Sequence, residues 1–286
     1  MIALLDIGGT KLAAAAAPEP ASTHIENVVR TATPADAAVP GLISLLDEVT
    51  RGQRPAAIAI SAPGPFDRQT AVLLEPPGMA TPWHGLRLGD VLGARFGCPV
   101  VVENDANCAA LAEARLGAGR GARTVVYFTV STGIGTGVIR DGHLLDTRHD
   151  TEGGHQVLWP EWVGGPACHC GGHGCLEALA SGRAIERRFG VPAPALDSDE
   201  AWDDIGRWLG LGVVNVTALH DPDVVLFGGG VTAAWDRFAA SLRRTIAEHL
   251  FLQPAPLVQR GSLGEERSLI GALLVAAARL GAATGA

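Results

Sequence analysis

The sequence is poor in positive charge, and this limits the partners it can have. Lysine and arginine number 22 against 30 aspartates and glutamates, which gives a net charge of -8 at neutral pH. A protein that holds nucleic acid or anionic lipid by charge usually presents a basic stripe on its surface. We therefore expect neither a nucleic acid nor a membrane partner, and we favour small molecules.

Long apolar runs and paired cysteines are also missing. No segment is as long and as uniformly apolar as a membrane helix, and the opening MIALLDIGGT lacks the basic stretch of a secretory signal. The five cysteines are odd in number; Cys98 and Cys108 are isolated, and the other three lie close together. This usage fits a reducing cytosol, so we predict a cytoplasmic protein.

The 286 residues, 47% of them hydrophobic, are enough for about two globular domains. Strand patterns alternate with helix patterns, which indicates an α/β fold. The predicted helices are 36–51, 88–96, one opening at 104–107, 199–220, 233–250 and 269–280, and the predicted strands between them include 56–61, 99–102 and 224–227. The glycine-rich stretch 115–123 is predicted to be a hinge.

Two strand, turn, strand patterns stand far apart in the chain. The first joins strand 2–7 to strand 12–17 through Gly8, Gly9 and Thr10, and the second joins 125–130 to 138–139 through STGIGTG. They predict one hairpin per domain and a diverged internal duplication. Glycine turns let backbone N–H groups approach an anion closely, although a plain hairpin turn explains either one alone.

Taken together, the two turns suggest a polyphosphate site in which Asp6 faces hydrated magnesium. Neither turn matches the GxxxxGK[ST] pattern, so this is not a P-loop enzyme. The run 228–230 after a short strand could lie against a flat base, but a lone glycine run is weak evidence.

Residues 103–107, ENDAN, are polar and follow the apolar PVVV. Asparagine and aspartate are common helix caps, and one of them needs no further explanation. Four polar groups in five residues exceed what a cap requires. A carboxylate at such a strand-to-helix junction could accept the proton of a substrate hydroxyl.

The stretch 152–177 is a glycine- and proline-rich loop that holds His155, Cys168, Cys170 and Cys175. One imidazole and three thiolates form the ligand set of a structural zinc site, which would order such a loop. Buried apolar cysteines are the alternative, and His169 and His173 are rival ligands.

A metal in this loop would also fix two carboxylates, Glu152 and Glu177. Carboxylates that accept hydrogen bonds from several hydroxyls are suited to sugar recognition. Glu177 could instead simply begin the helix LEALASG, where the helix dipole favours an acid.

Across nearly its whole length the chain resembles the ROK family of sugar kinases, within the hexokinase and actin-like ATPase superfamily. The resemblance lies in DIGGTK, SAPGPFD, ENDANCAALAEARLG, STGIGTG, ExGH, CxCGxxGCLEALASG, LFGGGV and LIGALL. It implies two ribonuclease H-like domains with an interdomain cleft. The small domain would be 1–117 with the C-terminal helix at about 271–286, and the large domain would be 118–270.

The same resemblance implies a role for each matching residue. Asp105 would be the general base. Sugar contacts would come from Gly64, Asn104, Asp105, Glu152, His155 and Glu177, and zinc ligands from His155, Cys168, Cys170 and Cys175. ATP and Mg²⁺ would meet Asp6, Gly8, Gly9, Thr10, Lys11, Thr132, Gly133, Gly229 and Gly230. His155 would bind zinc through one ring nitrogen and sugar through the other.

Two departures from the family pattern affect the expected sugar. The segment between His155 and Cys168 is longer than usual, and EPPGMATPWHG replaces a PNLPGW-like segment. We predict phosphorylation of glucose at its 6-hydroxyl by ATP. An amino sugar such as kanosamine, an N-acetylhexosamine, fructose or a cyclitol are alternative substrates.

A sugar-sensing ROK regulator is the alternative from another class, but it would need a helix-turn-helix ahead of Asp6, and the chain is acidic. A non-catalytic sugar-binding protein is a third possibility, disfavoured because Asp6, Thr10 and Asp105 are all present. The family resemblance also implies a homodimer or homotetramer.

Overall fold

A computed structural model describes residues 1–67, 69–76, 79–145 and 147–283, apart from the side chains of Ala282 and Ala283. The strands are β1 (Ile2–Ile7), β2 (Lys11–Ala17), β3 (Glu26–Ala32), β4 (Ala57–Ala62), β5 (Phe66–Asp67), β6 (Val72–Leu73), β7 (Leu86–Arg87), β8 (Val100–Asn104), β9 (Thr124–Val130), β10 (Ile134–Arg140), β11 (His143–Leu144), β12 (Val224–Gly228) and β13 (Leu257–Arg260). The α-helices are α1 (Ala38–Thr50), α2 (Leu88–Phe96), α3 (Asp105–Leu116), α4 (Leu176–Ala180), α5 (Gly182–Phe189), α6 (Asp199–His220), α7 (Trp235–His249) and α8 (Arg267–Ala283).

The chain divides into two compact units, which confirms the predicted α/β class with two domains. Unit 1 contains Met1–Ala112 and the chain from Gly264 onward, and unit 2 contains Glu113–Leu263. The limits predicted from the sequence, near residues 117 and 271, stay a prediction.

Unit 1 is built on a five-stranded sheet in the order β3-β2-β1-β4-β8. β2 runs antiparallel to both β1 and β3, whereas β4 and β8 run parallel to β1. Every residue of β4 is buried, as expected for a central strand covered on both faces. Helices α1 and α8 both pack against this sheet. A small second sheet, β5-β6-β7, completes the strands described in this unit.

Unit 2 repeats this topology with the order β11-β10-β9-β12-β13. β10 is antiparallel to β9 and β11, and β12 is parallel to β9 and β13. Its core includes Phe128 stacked on Phe227, with ring centroids 5.2 Å apart. Two sheets of identical strand order are what the proposed internal duplication requires.

Helix α6 spans the predicted residues 199–220, and its boundaries have local causes. The Ser198 hydroxyl accepts a hydrogen bond from the backbone N–H of Ala201 and caps the first turn. Asp221 takes a left-handed conformation at the other end, and Pro222 follows. Gly206 lies against the backbone of α7, where a Cβ would collide with the Phe238 carbonyl, so these two helices pack closely.

Some predicted boundaries were wrong. The second strand of the later hairpin begins at Ile134, inside the glycine-rich turn, and not at residue 138. The predicted helix 233–250 is a 3-10 turn, Gly230–Ala234, followed by α7. Strands β3 and β13 were not predicted. Part of EPPGMATPWHG lies outside the described residues.

The chain crosses between the units beside the buried carboxylate of Glu113. This carboxylate accepts hydrogen bonds from the backbone N–H groups of Ala118, Ser262 and Leu263, at 2.9 to 3.0 Å. One buried acid therefore fastens together the two chain segments next to the boundary. Hinge motion at 115–123 stays a prediction. In the part of the chain that the structure describes, no helix combines the length and apolar character needed to cross a membrane.

Candidate active site

In unit 1, polar side chains gather where the parallel strands end. Asp6 of β1, Ser61 of β4 and Glu103 of β8 are neighbours in register. Asp6 Oδ1 accepts a hydrogen bond of 2.7 Å from the Ser61 hydroxyl. Burial raises the pKa of Asp6, and the Ser61 hydrogen bond and nearby cations oppose that rise. Such an edge is the usual place for a ligand site in an α/β sheet.

Asp105, the predicted base, is the first residue of α3 and is half-buried. Its neighbour Asn104 caps the helix, because Asn104 Oδ1 accepts hydrogen bonds from the N–H groups of Ala106 (2.9 Å) and Asn107 (3.2 Å). A side chain at Gly64 would approach Asn104 Nδ2 to 3.6 Å, so Gly64 lies beside the predicted sugar contacts.

The buried thiol of Cys108 shows that these acids are close to one another. Burial raises its pKa well above the usual value, and the charges of Glu103, Asp6 and Asp105 raise it further. A thiol held in its protonated form is a poor nucleophile. Cys108 is therefore not a candidate nucleophile at this edge.

Glu103 and Arg279 hold the β8–α3 junction in place. Glu103 is 2% exposed, and its Oε2 lies 2.6 Å from Arg279 Nη2. Its Oε1 accepts hydrogen bonds from the N–H of Asn104 (2.8 Å) and from Asn107 Nδ2 (3.0 Å). Arg279 also donates to the Val102 carbonyl. Helix α8 is thereby tied to the strand end that carries Asp105.

Replacing Arg279 by alanine is expected to lower the free energy of unfolding by about 2 to 4 kcal/mol, because it leaves the Glu103 carboxylate buried without its cation. Urea unfolding followed by circular dichroism measures this change. Arg95→Ala is the matched control, since the Arg95–Asp47 pair of the same unit is exposed and is expected to contribute at most about 1 kcal/mol. Equal losses for the two variants would contradict the role given to Arg279.

The first glycine turn is held by a residue that the sequence analysis did not identify. The Thr33 hydroxyl donates to the Gly8 carbonyl at 2.6 Å, and the Thr33 N–H donates to the Thr10 carbonyl at 3.1 Å. Gly9 and Thr10 are exposed, whereas Lys11 forms an ion pair of 2.9 Å with Glu265. The turn therefore presents its backbone at a fixed position.

In unit 2, the other predicted nucleotide contacts lie at the carboxyl ends of the parallel strands β9 and β12. Thr132 and Gly133 follow β9, and Gly229 and Gly230 follow β12. Gly229 has φ +91°, and a Cβ there would collide with the Val130 carbonyl. The structure thus brings the polar turn and the glycine run to one edge of the sheet.

The four predicted zinc ligands converge in the loop 152–177. Their donor atoms all lie within 4.8 Å of one another. Cys168 Sγ is 3.6 Å from His155 Nδ1, and Cys170 Sγ is 3.7 Å from Cys175 Sγ. With zinc bonds of about 2.3 Å to sulfur and 2.1 Å to nitrogen, a tetrahedral site needs separations of about 3.6 to 3.8 Å. These two separations match a tetrahedral zinc site, and the four residues together could hold a metal ion.

The two rival histidines each lie near a carboxylate, and His169 forms with His155 and Glu177 a second group that could hold a metal ion. His169 Nδ1 lies 2.6 Å from Glu177 Oε1, and His173 Nδ1 lies 3.8 Å from Glu161 Oε2. His155 itself belongs to a 3-10 turn, Gly153–His155, which the Gly153 N–H ties to the Thr136 hydroxyl of β10. His155 is therefore the histidine that accompanies the thiols.

Both predicted sugar-contacting carboxylates flank this cluster. Glu152 immediately precedes the 3-10 turn of His155; burial raises its pKa, and the His155 charge lowers it in part. Glu177 lies in the first turn of α4, and its Oε2 accepts a 2.8 Å hydrogen bond from the Ile134 N–H of β10. The Glu177 carboxylate is therefore fixed to the sheet.

The long segment before Cys168 is folded. Residues Glu161–Val163 form a 3-10 turn, and the Trp159 ring stacks on Trp208 of α6 with centroids 5.7 Å apart. Trp162 is 85% exposed. The segment therefore has regular local structure, and the predicted ligands at its two ends lie close together.

Comparison with known proteins agrees with this architecture. A family profile described as ROK family matches residues 2–279. A glucokinase from Streptomyces coelicolor is 31% identical, and the alignment covers 94% of this chain and 95% of that protein. The crystal structure of a ROK hexokinase from Thermus thermophilus is 34% identical, with a TM-score of 0.81 and 99% of each chain covered.

A ROK family glucokinase from Streptomyces griseus, solved in complex with glucose and AMPPNP, is 30% identical. It gives a TM-score of 0.81, with 96% of this chain and 98% of that chain covered. These likenesses confirm the expected actin-like ATPase fold with two domains. With a family profile that extends over nearly its full length, the chain belongs to the ROK family.

Proposed function

We propose that this ROK sugar kinase transfers the γ-phosphoryl group of MgATP to a hexose, and that the acceptor is the 6-hydroxyl of glucose. The observation that carries the proposal is the position of Asp105, directly after β8 at the same sheet edge as Asp6. One carboxylate is placed to accept a hydroxyl proton, and the other to face a hydrated metal ion.

In this proposal Asp105 accepts the proton of the attacking hydroxyl while Asn104 keeps the start of α3 in place. Asp6 and the backbone of the turn at Gly8–Thr10 hold the magnesium and phosphates of the nucleotide. No covalent enzyme intermediate is needed, because phosphoryl transfer depends mainly on positioning and electrostatic stabilisation. Thr132, Gly133, Gly229 and Gly230 are further proposed contacts to the nucleotide.

The proposed sugar contacts are Gly64, Asn104, Glu152, His155 and Glu177, and the two carboxylates accept hydrogen bonds from sugar hydroxyls. His155 and the three cysteines would hold a structural zinc ion, which would order the loop and fix the two carboxylates. The sequence-based expectations of a cytoplasmic location and a homodimer or homotetramer are part of the proposal.

A sugar panel tests the substrate. Purified protein with MgATP is expected to release ADP fastest with glucose in a coupled assay, compared with mannose, fructose, N-acetylmannosamine, kanosamine and a cyclitol. The position of the phosphate is then read by NMR of the product. A faster rate with another sugar would replace glucose and keep the kinase; ADP release with none of them would contradict the proposed function.

A further inference from the structure

His169 stands between two predicted zinc ligands but contacts a different partner. Its Nδ1 lies 2.6 Å from Glu177 Oε1, and its ring meets the His155 ring edge to face, with centroids 5.4 Å apart and planes at 64°. Glu177 and His155 are both proposed sugar contacts. His169 therefore lies beside two groups that are assigned to the sugar, and it has no assigned role itself.

The contact with His169 affects the orientation of the Glu177 carboxylate. Glu177 is 8% exposed, and the Ile134 N–H already binds its Oε2. With the His169 ring nitrogen 2.6 Å from Oε1 and the Ile134 N–H on Oε2, both carboxylate oxygens have a nitrogen neighbour, so rotation of the carboxylate would break a contact. A carboxylate has about four acceptor positions, and two of them stay available for hydroxyl groups in a fixed direction.

We infer that His169 is a positioning residue of the sugar site, which fixes the Glu177 carboxylate for a pair of hydroxyls on the acceptor. The inference rests on the proposed role of Glu177. Since Cys168 and Cys170 flank His169 in the chain, metal binding places the imidazole, and the imidazole places the carboxylate. The zinc loop thus acts on sugar affinity through one identifiable side-chain contact, that of His169 with Glu177.

The test compares two histidines of the same loop. His169→Ala is expected to raise the KM for the hexose about tenfold, the size expected for one polar contact with a charged group, with little change in kcat or in the KM for ATP. His169→Asn, whose amide can donate from a similar position, is expected to recover most of the loss. His173→Ala is the control, since its side chain is 35% exposed against 32% for His169 and lies near an exposed acid.

Zinc content is measured for each variant. Loss of zinc from His169→Ala alone would assign the imidazole to the metal and overturn the inference. An unchanged hexose KM, or an equal rise in the alanine and asparagine variants, would overturn it as well. If the wild-type protein phosphorylates no sugar of the panel, the proposed function fails. If the wild-type protein is active and both alanine variants match it, only the present inference fails.

Discussion

Replacing Asp105 by asparagine is expected to lower kcat for sugar phosphorylation by about 10²- to 10⁴-fold, the usual contribution of a general base. Asparagine has nearly the same shape but cannot take up the proton of the attacking hydroxyl. Turnover is measured by coupled ADP release, and hexose binding by calorimetry. Sugar affinity is expected to change little, because the amide oxygen can still accept a hydrogen bond.

The fold is expected to survive this substitution, so a loss of turnover can be assigned to the loss of the base. Asp105 Oδ1 accepts a hydrogen bond from the Ala106 N–H at 2.8 Å, and an asparagine oxygen can do the same. Asn104 caps the helix independently. Asp90→Asn, which alters the first turn of α2 in the same unit, serves as the control and is expected to leave kcat unchanged. Near-normal turnover by Asp105→Asn would refute its assignment as the base.

The elements predicted well from the sequence are those with strong local signals. Helices α2 and α6 have a periodic apolar face and clear ends, and β1 is an apolar run stopped by glycines. Strand β3 was missed because it carries no alternating pattern and is mostly exposed. The start of β10 was missed because glycine is a weak strand former, although Gly135 and Gly137 pair in register with β9.

The candidate site was likewise predicted from the sequence only where its residues are close together in the chain. Motifs of neighbouring residues pointed to Asp105 and to the cluster of His155 with three cysteines, since those residues lie close in the chain as well as in space. Within ENDAN, Asn104 caps α3 and Glu103 binds Arg279, 176 residues away, and the sugar contacts of Asn104 and Asp105 stay a prediction. A pair so distant in the chain leaves no pattern in the local sequence. The contact between His169 and Glu177 leaves none either.

The second large effect on activity is expected from loss of the metal. Cys175→Ser is expected to lose zinc and to abolish measurable sugar phosphorylation, because Glu152, His155 and Glu177 lose the framework that fixes them. Structural zinc contributes up to about 10 to 16 kcal/mol of binding free energy in small domains, far more than one hydrogen bond. Elemental analysis measures the metal, and the ADP assay measures activity. Treatment of wild-type protein with a strong chelator is expected to have the same result.

The protonation of the thiols also determines how zinc affinity depends on pH. Burial raises the pKa of Cys168, and burial followed by the Cys170 hydrogen bond raises the pKa of Cys175 to about 12, so without metal both are protonated near neutral pH. Zinc needs thiolates and must displace these protons, so its affinity should rise as pH rises. Cys98→Ser, a half-buried cysteine in unit 1, is the control and should retain zinc. If chelated, metal-free protein phosphorylated its sugar normally, the ordering role of the cluster would be wrong.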